Sequence, residues 1–511
     1  MPGETSETLK RYTKPKDPDN IQFAGDFNLA AVVIQNHKGE GVLPESGGEN
    51  ILPQMLELNI YESINKKAIT GSIVIVDATN LIANLPIQGT ERLMFKLSTP
   101  GTSKAEHIID ASEETGHPFY VYKISNKQQP SQGTLVYTIH FASREFLRNI
   151  RTKVSQAYSG KLSSMVQEIV ADKKGLDSRK ALYYEETGNQ DKIVIPNLSP
   201  FKAISLVAKR SLPKYGEGAG YYFYETTKGL YFQSWENMCA HYARSEKKPI
   251  QVYYYQPQNI ESPDPETGDQ VIQDLKSVEE YKFINTFHDT AAAQALGTYG
   301  HRVISYNLYS KAFKTTDYHY HDQFDETVHA DYTNDLGLTG TNPQIRDNPV
   351  DFDNLGVSDY AESMVSLYPT TQFLHNEDTG SFGTDVSNDA KFEGMRNGQR
   401  MQVTAGTTIE MTVKGQTQIQ PGEVIDFELR PVETEGLTAD KKAYDAQYSG
   451  RYVITKVRHR VTKQDYKMVF ECKKDSVRES LLGKKVLNFE GIANNENTKY
   501  KKLNELNTGG R

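Results

Sequence analysis

Only two cysteines occur in 511 residues, Cys239 and Cys472, and they lie far apart in the chain. They cannot supply a framework of bridges, so both read as reduced thiols. No run of some 18 apolar residues is present, which sets aside a membrane-spanning helix. The first twenty residues are polar and rich in Lys, Pro and Asp, without the apolar core a secretory signal needs, so export by that route is not expected. Catalytic signatures are also missing. There is no G-x-S-x-G elbow, no phosphate loop and no H-E-x-x-H, and no pair among the many acids singles itself out for glycoside hydrolysis. An enzyme is therefore not expected. Hydrophobic residues make up only 37% of the chain, with one Trp against 31 Tyr, which places an unusual share of residues in loops or polar interfaces.

What is present is alternation. Leu56, Leu58 and Ile60 alternate with Glu57 and Asn59, followed by the apolar run Ile73-Val74-Ile75-Val76, which reads as successive β-strands. Further strands fit Phe27 to Ile34, Tyr120 to Ile124 and Thr134 to Phe141. From Ser143 the period changes: Phe146, Ile150, Val154 and Tyr158 recur every fourth residue and predict a helix ending before Gly160. Leu162, Val166, Ile169 and Val170 predict a second helix. Ser199-Pro200 opens a third, whose apolar face uses Phe201, Ile204 and Val207. An aromatic hairpin, Tyr221 to Glu225 and Gly229 to Gln233, and a strand at Ile250 to Tyr255 complete an α+β unit. A second β region follows, with strands at Tyr281 to Phe287, Gly300 to Tyr309, and again from Met401 through Ile409-Met411-Val413, Ile425-Phe427-Leu429, Arg451 to Val461 and Lys467 to Cys472. At about 150 residues per domain, this length fits three to four domains.

The net charge is −8, unevenly spread. Between Asp317 and Glu393, 12 Asp and 4 Glu face only Arg346 and Lys391, a balance of −14 that reads as an inserted, solvated acidic segment. Within it Asp351-Phe352-Asp353-Asn354-Leu355-Gly356, continuing to Asp359 and Glu362, imitates a calcium loop. Leu355 nevertheless stands where an oxygen ligand belongs, and Pro343 and Pro349 deny a preceding helix, so composition explains the match better than a cation site does. On a strand, His319 and His321 would face one side, with His329 further on, but no third zinc ligand has a persuasive spacing. The runs Tyr221-Tyr222-Phe223-Tyr224 and Tyr253-Tyr254-Tyr255 read as buried or interfacial strands rather than stacking platforms, because only scattered Lys and Arg accompany them. No catalytic, cofactor-binding or metal residues are assigned.

Three stretches resemble the central hub of the baseplate in T-even-type contractile-tailed bacteriophages. The first is Ile60-Tyr61-Glu62-Ser63-Ile64 with Gly71, Asp77, Pro86-Ile87 and Gly89-Thr90-Glu91. The second is Phe201 to Arg210 with Tyr222-Phe223-Tyr224-Glu225 and Gly229-Leu230-Tyr231-Phe232. The third is Gly450-Arg451-Tyr452-Val453-Ile454 with Val457-Arg458-His459 and Asp475-Ser476.

The resemblance implies an α+β, mainly β chain with two tube-like antiparallel β-barrel domains flanking an α+β domain. The expected division is a flexible arm (1–22), a first barrel (23–145), an α+β domain (146–275), a second barrel split between 276–316 and 394–480, the acidic insertion (317–393) and a C-terminal tail (481–511). It further implies a homotrimer forming a pseudo-sixfold ring, which adapts a trimeric tail spike to a hexameric tail tube and leaves a channel for DNA as passing cargo. The implied partners are the spike, tube or tube-initiator proteins and baseplate wedge proteins, in a virion assembled in the host cytoplasm, with no cofactor. Strand pairing across subunits would cap edges such as Leu56 to Ile60. The competing readings are a peripheral baseplate or wedge protein and, from another class, a glycan-binding or hydrolytic tail module.

Overall fold

The computed structural model describes residues 23–42, 47–85, 87–100, 107–112, 117–214, 220–245, 249–255, 270–286, 289–307, 311, 313–324, 327–333, 338–339, 358–370, 403, 406–430, 444–445 and 447–478. The expected arm and tail, the start of a strand at Met401 and Asp351 to Gly356 lie outside these residues.

The chain is α+β and mainly β. Its largest unit is one continuous sheet of 14 strands that contains two successive groups of six. The first group is β1 (Asn28–Gln35), β2 (Met55–Ser63), β3 (Thr70–Asp77), β4 (Arg92–Ser98), β5 (Phe119–Ser131) and β6 (Thr134–Ala142). The second is β7 (Val252–Tyr255), β8 (Ser277–Asn285), β9 (Thr407–Lys414), β10 (Val424–Glu428), β11 (Gly450–Thr462) and β12 (Tyr466–Lys474). The first six pair in the order β1-β4-β5-β6-β3-β2. The second six pair as β7-β10-β11-β12-β9-β8, and β8 returns to β7, which closes a barrel. Each strand of one group thus occupies the place of its counterpart six numbers later.

Local irregularities repeat as well. The β2–β3 ladder skips between Met55 and Glu57, and the β8–β9 ladder skips between Val278 and Glu280. The β5–β6 ladder skips between Val121 and Lys123, and the β11–β12 ladder between Ile454 and Lys456. A β-bulge bends its strand at a set place, so two matching bulges on matching strands mark one architecture used twice. The first strand is where the copies part. β1 runs antiparallel to β4, whereas β7 runs parallel to both β10 and β8. In the first group the short strand Glu49–Asn50 pairs with β1 and leads through Leu52–Gln54 into β2.

The inner faces form one apolar core. Ile73, Ile75, Phe95, Ile139 and Phe141 of the first group are buried, as are Met411, Val413, Phe427, Phe470 and Cys472 at the corresponding places of the second. Alternation places these side chains inside and their polar neighbours outside. Gly71 is dictated by packing, because a Cβ there would lie 2.1 Å from the ring of Phe141.

Between the two groups in the chain come α1 (Arg144–Arg151), α2 (Leu162–Ala171), α3 (Pro200–Arg210) and the aromatic hairpin Tyr221–Thr226 with Gly229–Ser234, around a second apolar core. The helix expected through Tyr158 stops at Arg151. Val154–Lys161 is instead a strand paired with Gln190–Leu198, since β-branched Thr152 and Val154 favour an extended chain once a partner strand is available.

Three further expectations are corrected. The strand at 250–255, assigned to the α+β unit, supplies β7 of the second barrel. Gly300–Asn307, assigned to that barrel, instead joins Phe313–His319 and Val365–Thr370 in a separate three-stranded sheet. The acidic segment is not wholly solvated: His329, Ala330 and Asp331 are buried against Asp475 and Ser476.

Candidate assembly interface

The two six-stranded groups, of which the second closes into a barrel, meet strand to strand. β2 pairs with the second half of β11 from Glu57↔Thr462 to Ser63↔Lys456, while the first half of β11 pairs with β10. The thirteen residues of β11 are long enough to serve both partners on one edge. Leu56 to Ile60, expected to need a cap from another subunit, is therefore covered within the chain from Glu57 onward. The unusual length of β11, not the hydrophobic pattern of β2, decides this.

The seam has a polar outer face and a closed inner one. Outside, Glu57 pairs with Arg458 at 3.1 Å and Arg460 at 2.9 Å, and Arg458 donates to Asn59 Oδ1 at 2.9 Å. Inside, Leu58, Ile60, Val457 and Val461 are buried. Glu62 and His459, both buried, face one another at 3.5 Å, and His459 Nδ1 meets the Tyr466 hydroxyl at 2.7 Å. Thr99, after β4, and Thr417, before β10, add a second tie by exchanging backbone-to-hydroxyl hydrogen bonds of 3.2 and 3.0 Å.

A duplicated turn leads into β4 and β10. Ile87-Gln88-Gly89-Thr90-Glu91 corresponds to Ile419-Gln420-Pro421-Gly422-Glu423. Gln88 N–H donates to Glu91 at 2.6 Å, and Gln420 N–H donates to Glu423 at 3.1 Å. Their carbonyls accept from Val121 N–H and Ile454 N–H, at corresponding places of β5 and β11. Both glutamates are buried; backbone N–H groups of Gln88, Gly89 and Thr90 satisfy Glu91, whereas Gln420 N–H and the Lys228 ammonium at 3.4 Å serve Glu423. The signal Ile-Gln-x-x-Glu was available in the sequence, but at five residues it stands out only once the two ladders are aligned.

The α+β unit is anchored to the first barrel by a buried charge cluster. Glu225 Oε2 accepts from Ile69 N–H at 2.9 Å and Ser143 Oγ at 2.6 Å, Lys180 bonds to Glu225, and Lys180 Nζ lies 3.7 Å from Glu145. Two carboxylates thus share one ammonium. Burial pushes the Glu225 carboxyl up to about 7, against the pull of Lys180. Despite the same burial, Lys180 holds Glu145 below the usual range, and the carboxylates hold Lys180 above its own.

The histidines weighed as zinc ligands do not converge. His319 ends a strand and donates from Nδ1 to Ser358 O, 2.9 Å away, while His321 lies in the short helix Tyr320–Phe324. His329 Nδ1 meets Asp475 at 2.9 Å. Among the described residues no group of three or more His, Cys, Asp or Glu could hold a metal ion. Glu362, the last position of the calcium-like pattern, binds Arg302 at 2.7 Å. Both cysteines are buried free thiols.

A cleft of about 780 Å³ lies between the aromatic hairpin and the turn at Gln420 to Glu423. Its tyrosines are mostly committed to the protein: the Tyr224 hydroxyl accepts from Gln233, the Tyr231 hydroxyl accepts from Gln420, and the two rings stack at 5.3 Å. No helix among the described residues is long and apolar enough to cross a membrane.

No protein-family model and no curated protein sequence matches the chain. Among solved structures it is similar to a tail protein from Neisseria meningitidis, with 10% identity, 87% of this chain and 96% of that chain covered and a TM-score of 0.47. It is similar to a 43 kDa tail protein of prophage MuSo2 from Shewanella oneidensis, with 9% identity, 88% and 99% covered and a TM-score of 0.47. A component of the E. coli type VI secretion system is also similar, with 8% identity, 84% and 75% covered and a TM-score of 0.37.

Proposed function

We propose that this chain is a structural, non-catalytic hub of a contractile phage tail baseplate. Three copies form a pseudo-sixfold ring that seats a hexameric tail tube on a trimeric spike, with wedge proteins around it and a central channel for DNA. Its place is then the virion, after assembly in the host cytoplasm. The observation that carries the reading is the duplication: two six-stranded units share one pairing order and one pair of bulges and are joined edge to edge within a chain. A threefold object can present six near-equivalent surfaces only if each protomer carries two look-alike units.

Mass photometry of the purified chain tests this. The expected particle has three times the protomer mass of 57.6 kDa, and class averages show six lobes around a hole. A particle that stays monomeric at micromolar concentration, or a ring without six lobes, refutes the reading.

A further inference from the structure

The internal duplication leaves one junction unmade. The seam joins the second half of β11 to β2. The counterpart of β11 is β5, and the counterpart of β2 is β8. β5 is likewise thirteen residues long. One of its edges follows β6 along its length, while the other meets β4 only at Phe119 and Tyr120. β8 pairs with β9 on one side and meets β7 on the other only at Ser277 and Val278. Among the described residues, no strand pairs with the outer edge of β5 beyond Tyr120 or with that of β8 beyond Val278.

These two edges correspond, residue for residue, to the two that form the seam. The shared ladders place Gln128 where Arg460 stands and Lys282 where Asn59 stands. Arg460 and Asn59 are partners in the seam. Ser125 likewise takes the place of Arg458, and Glu280 that of Glu57.

We propose that the outer edge of β5 in one copy pairs antiparallel with the outer edge of β8 in the next copy, Gln128 facing Lys282, so that junctions within and between chains alternate around the ring. This rests on the hub reading and specifies its contact. The occupant is a second copy because the matching edge is found on this same chain, and the two cannot meet within one molecule while the seam holds β2 against β11. Such an interface is head to tail, so it passes from copy to copy and does not stop at a dimer; repeating the geometry of the seam is what lets it close into a ring.

Two features of the edges agree. Ile284, on the outer edge of β8, is 54% exposed. Both edges carry a further irregularity where they would face each other, between Ser125 and Gln128 and between Phe283 and Asn285.

Cysteine pairing tests the register. Cys239 and Cys472 are buried and leave a quiet background. The variant carrying Gln128→Cys and Lys282→Cys is expected, under mild oxidation, to give a covalent ladder ending at a closed trimer on non-reducing gels, because paired strands hold Cα atoms at disulfide range. The variant Lys123→Cys with Lys282→Cys places the thiols about 15 Å apart along the strand and is expected to stay uncoupled. Ile284→Lys is expected to raise the concentration at which rings form by about tenfold or more, while Leu296→Lys, at an apolar residue of similar exposure off this edge, leaves it unchanged. Trimers that form without the 128–282 cross-link overturn this contact and leave the hub reading standing. A chain that never assembles overturns both.

Discussion

Removing the ammonium of Lys180 is expected to unlock the α+β unit from the first barrel. Lys180 is the cation that faces Glu145 and Glu225, whose side chains are 2% and 0% exposed. At 3.7 Å and an effective dielectric constant of about 20, one such pair is worth about 4 kcal/mol of attraction before desolvation. Leaving a buried charge without its partner costs about 3–5 kcal/mol, so Lys180→Met is expected to lose about that much at pH 7.5. The sign with pH follows from Glu225. Its carboxyl keeps a proton up to about 7 in the fold, against 4.5 in the free side chain. Stability from that proton is fully present below about 4.5 and is lost as pH rises through 7. The variant's deficit should therefore shrink at pH 5, where Glu225 is protonated and only Glu145 is left without its cation. Urea unfolding followed by circular dichroism at both pH values measures this. Glu225→Gln, which keeps the Lys180–Glu145 pair, should cost about 1 kcal/mol or less at pH 7.5. A loss below about 1 kcal/mol for Lys180→Met at pH 7.5, or an equal loss at pH 5, would refute the reasoning.

The exposed ion pairs of the seam should behave differently. Arg458 and Arg460 side chains are 41% and 47% exposed, so Glu57→Gln should cost less than about 1 kcal/mol in the same urea assay, and less still in 0.5 M salt. Gly71→Ala forces a methyl group into the ring of Phe141 and should lower stability by about 3 kcal/mol, a loss that Gly71→Ala with Phe141→Leu partly recovers. Trp235 supplies an optical reporter, because its Nε1–H donates to buried Asp475 at 3.0 Å. Burial opposes ionisation of Asp475, yet His329 and the donors around it hold its carboxyl below the usual range. That contribution is present above about 3.8 and lost as pH falls through the depressed value, so Trp235 emission should shift to the red in acid, and Asp475→Asn should shift the transition to higher pH.

The sequence revealed those elements whose side chains alternate. β9, β10 and β12 were visible because one face is buried and one is wet, and the hairpin at Tyr221 because two aromatic runs flank a short connection, which the structure tightens to two residues by pairing Thr226 with Gly229. β7 could not be assigned to its barrel, since four residues carry no period and its neighbours Asp426 to Glu428 lie some 170 positions away. Val154 fell on the helical spacing of Phe146 and Ile150, and the partner strand at Gln190 overrode that pattern. The seam was hidden for a related reason: Arg458 and Arg460 read as the wet side of a strand until Glu57 is brought across from the other barrel. Buried clusters such as Lys180 with Glu225 arise only from tertiary contact, and charge counts along the chain give no sign of them.

An edge kept for assembly must not pair indiscriminately before the right partner arrives. Within the chain, the seam can carry complementary charges directly, because covalent connection guarantees that β2 finds β11. The free half of β5 is built to another rule. It sets Lys123 and Lys127 along the edge, turns at Asn126 with φ of 54°, and places Pro130, which has no N–H, close to its end. Charge, a bend and a missing donor are the devices by which β-proteins discourage edge-to-edge aggregation. A flat partner edge pairs poorly with such a strand, whereas β8 carries its own irregularity at the facing position, between Phe283 and Asn285. The departures of β5 from its counterpart β11 thus follow from one requirement: the same junction must be permanent inside the chain and selective outside it.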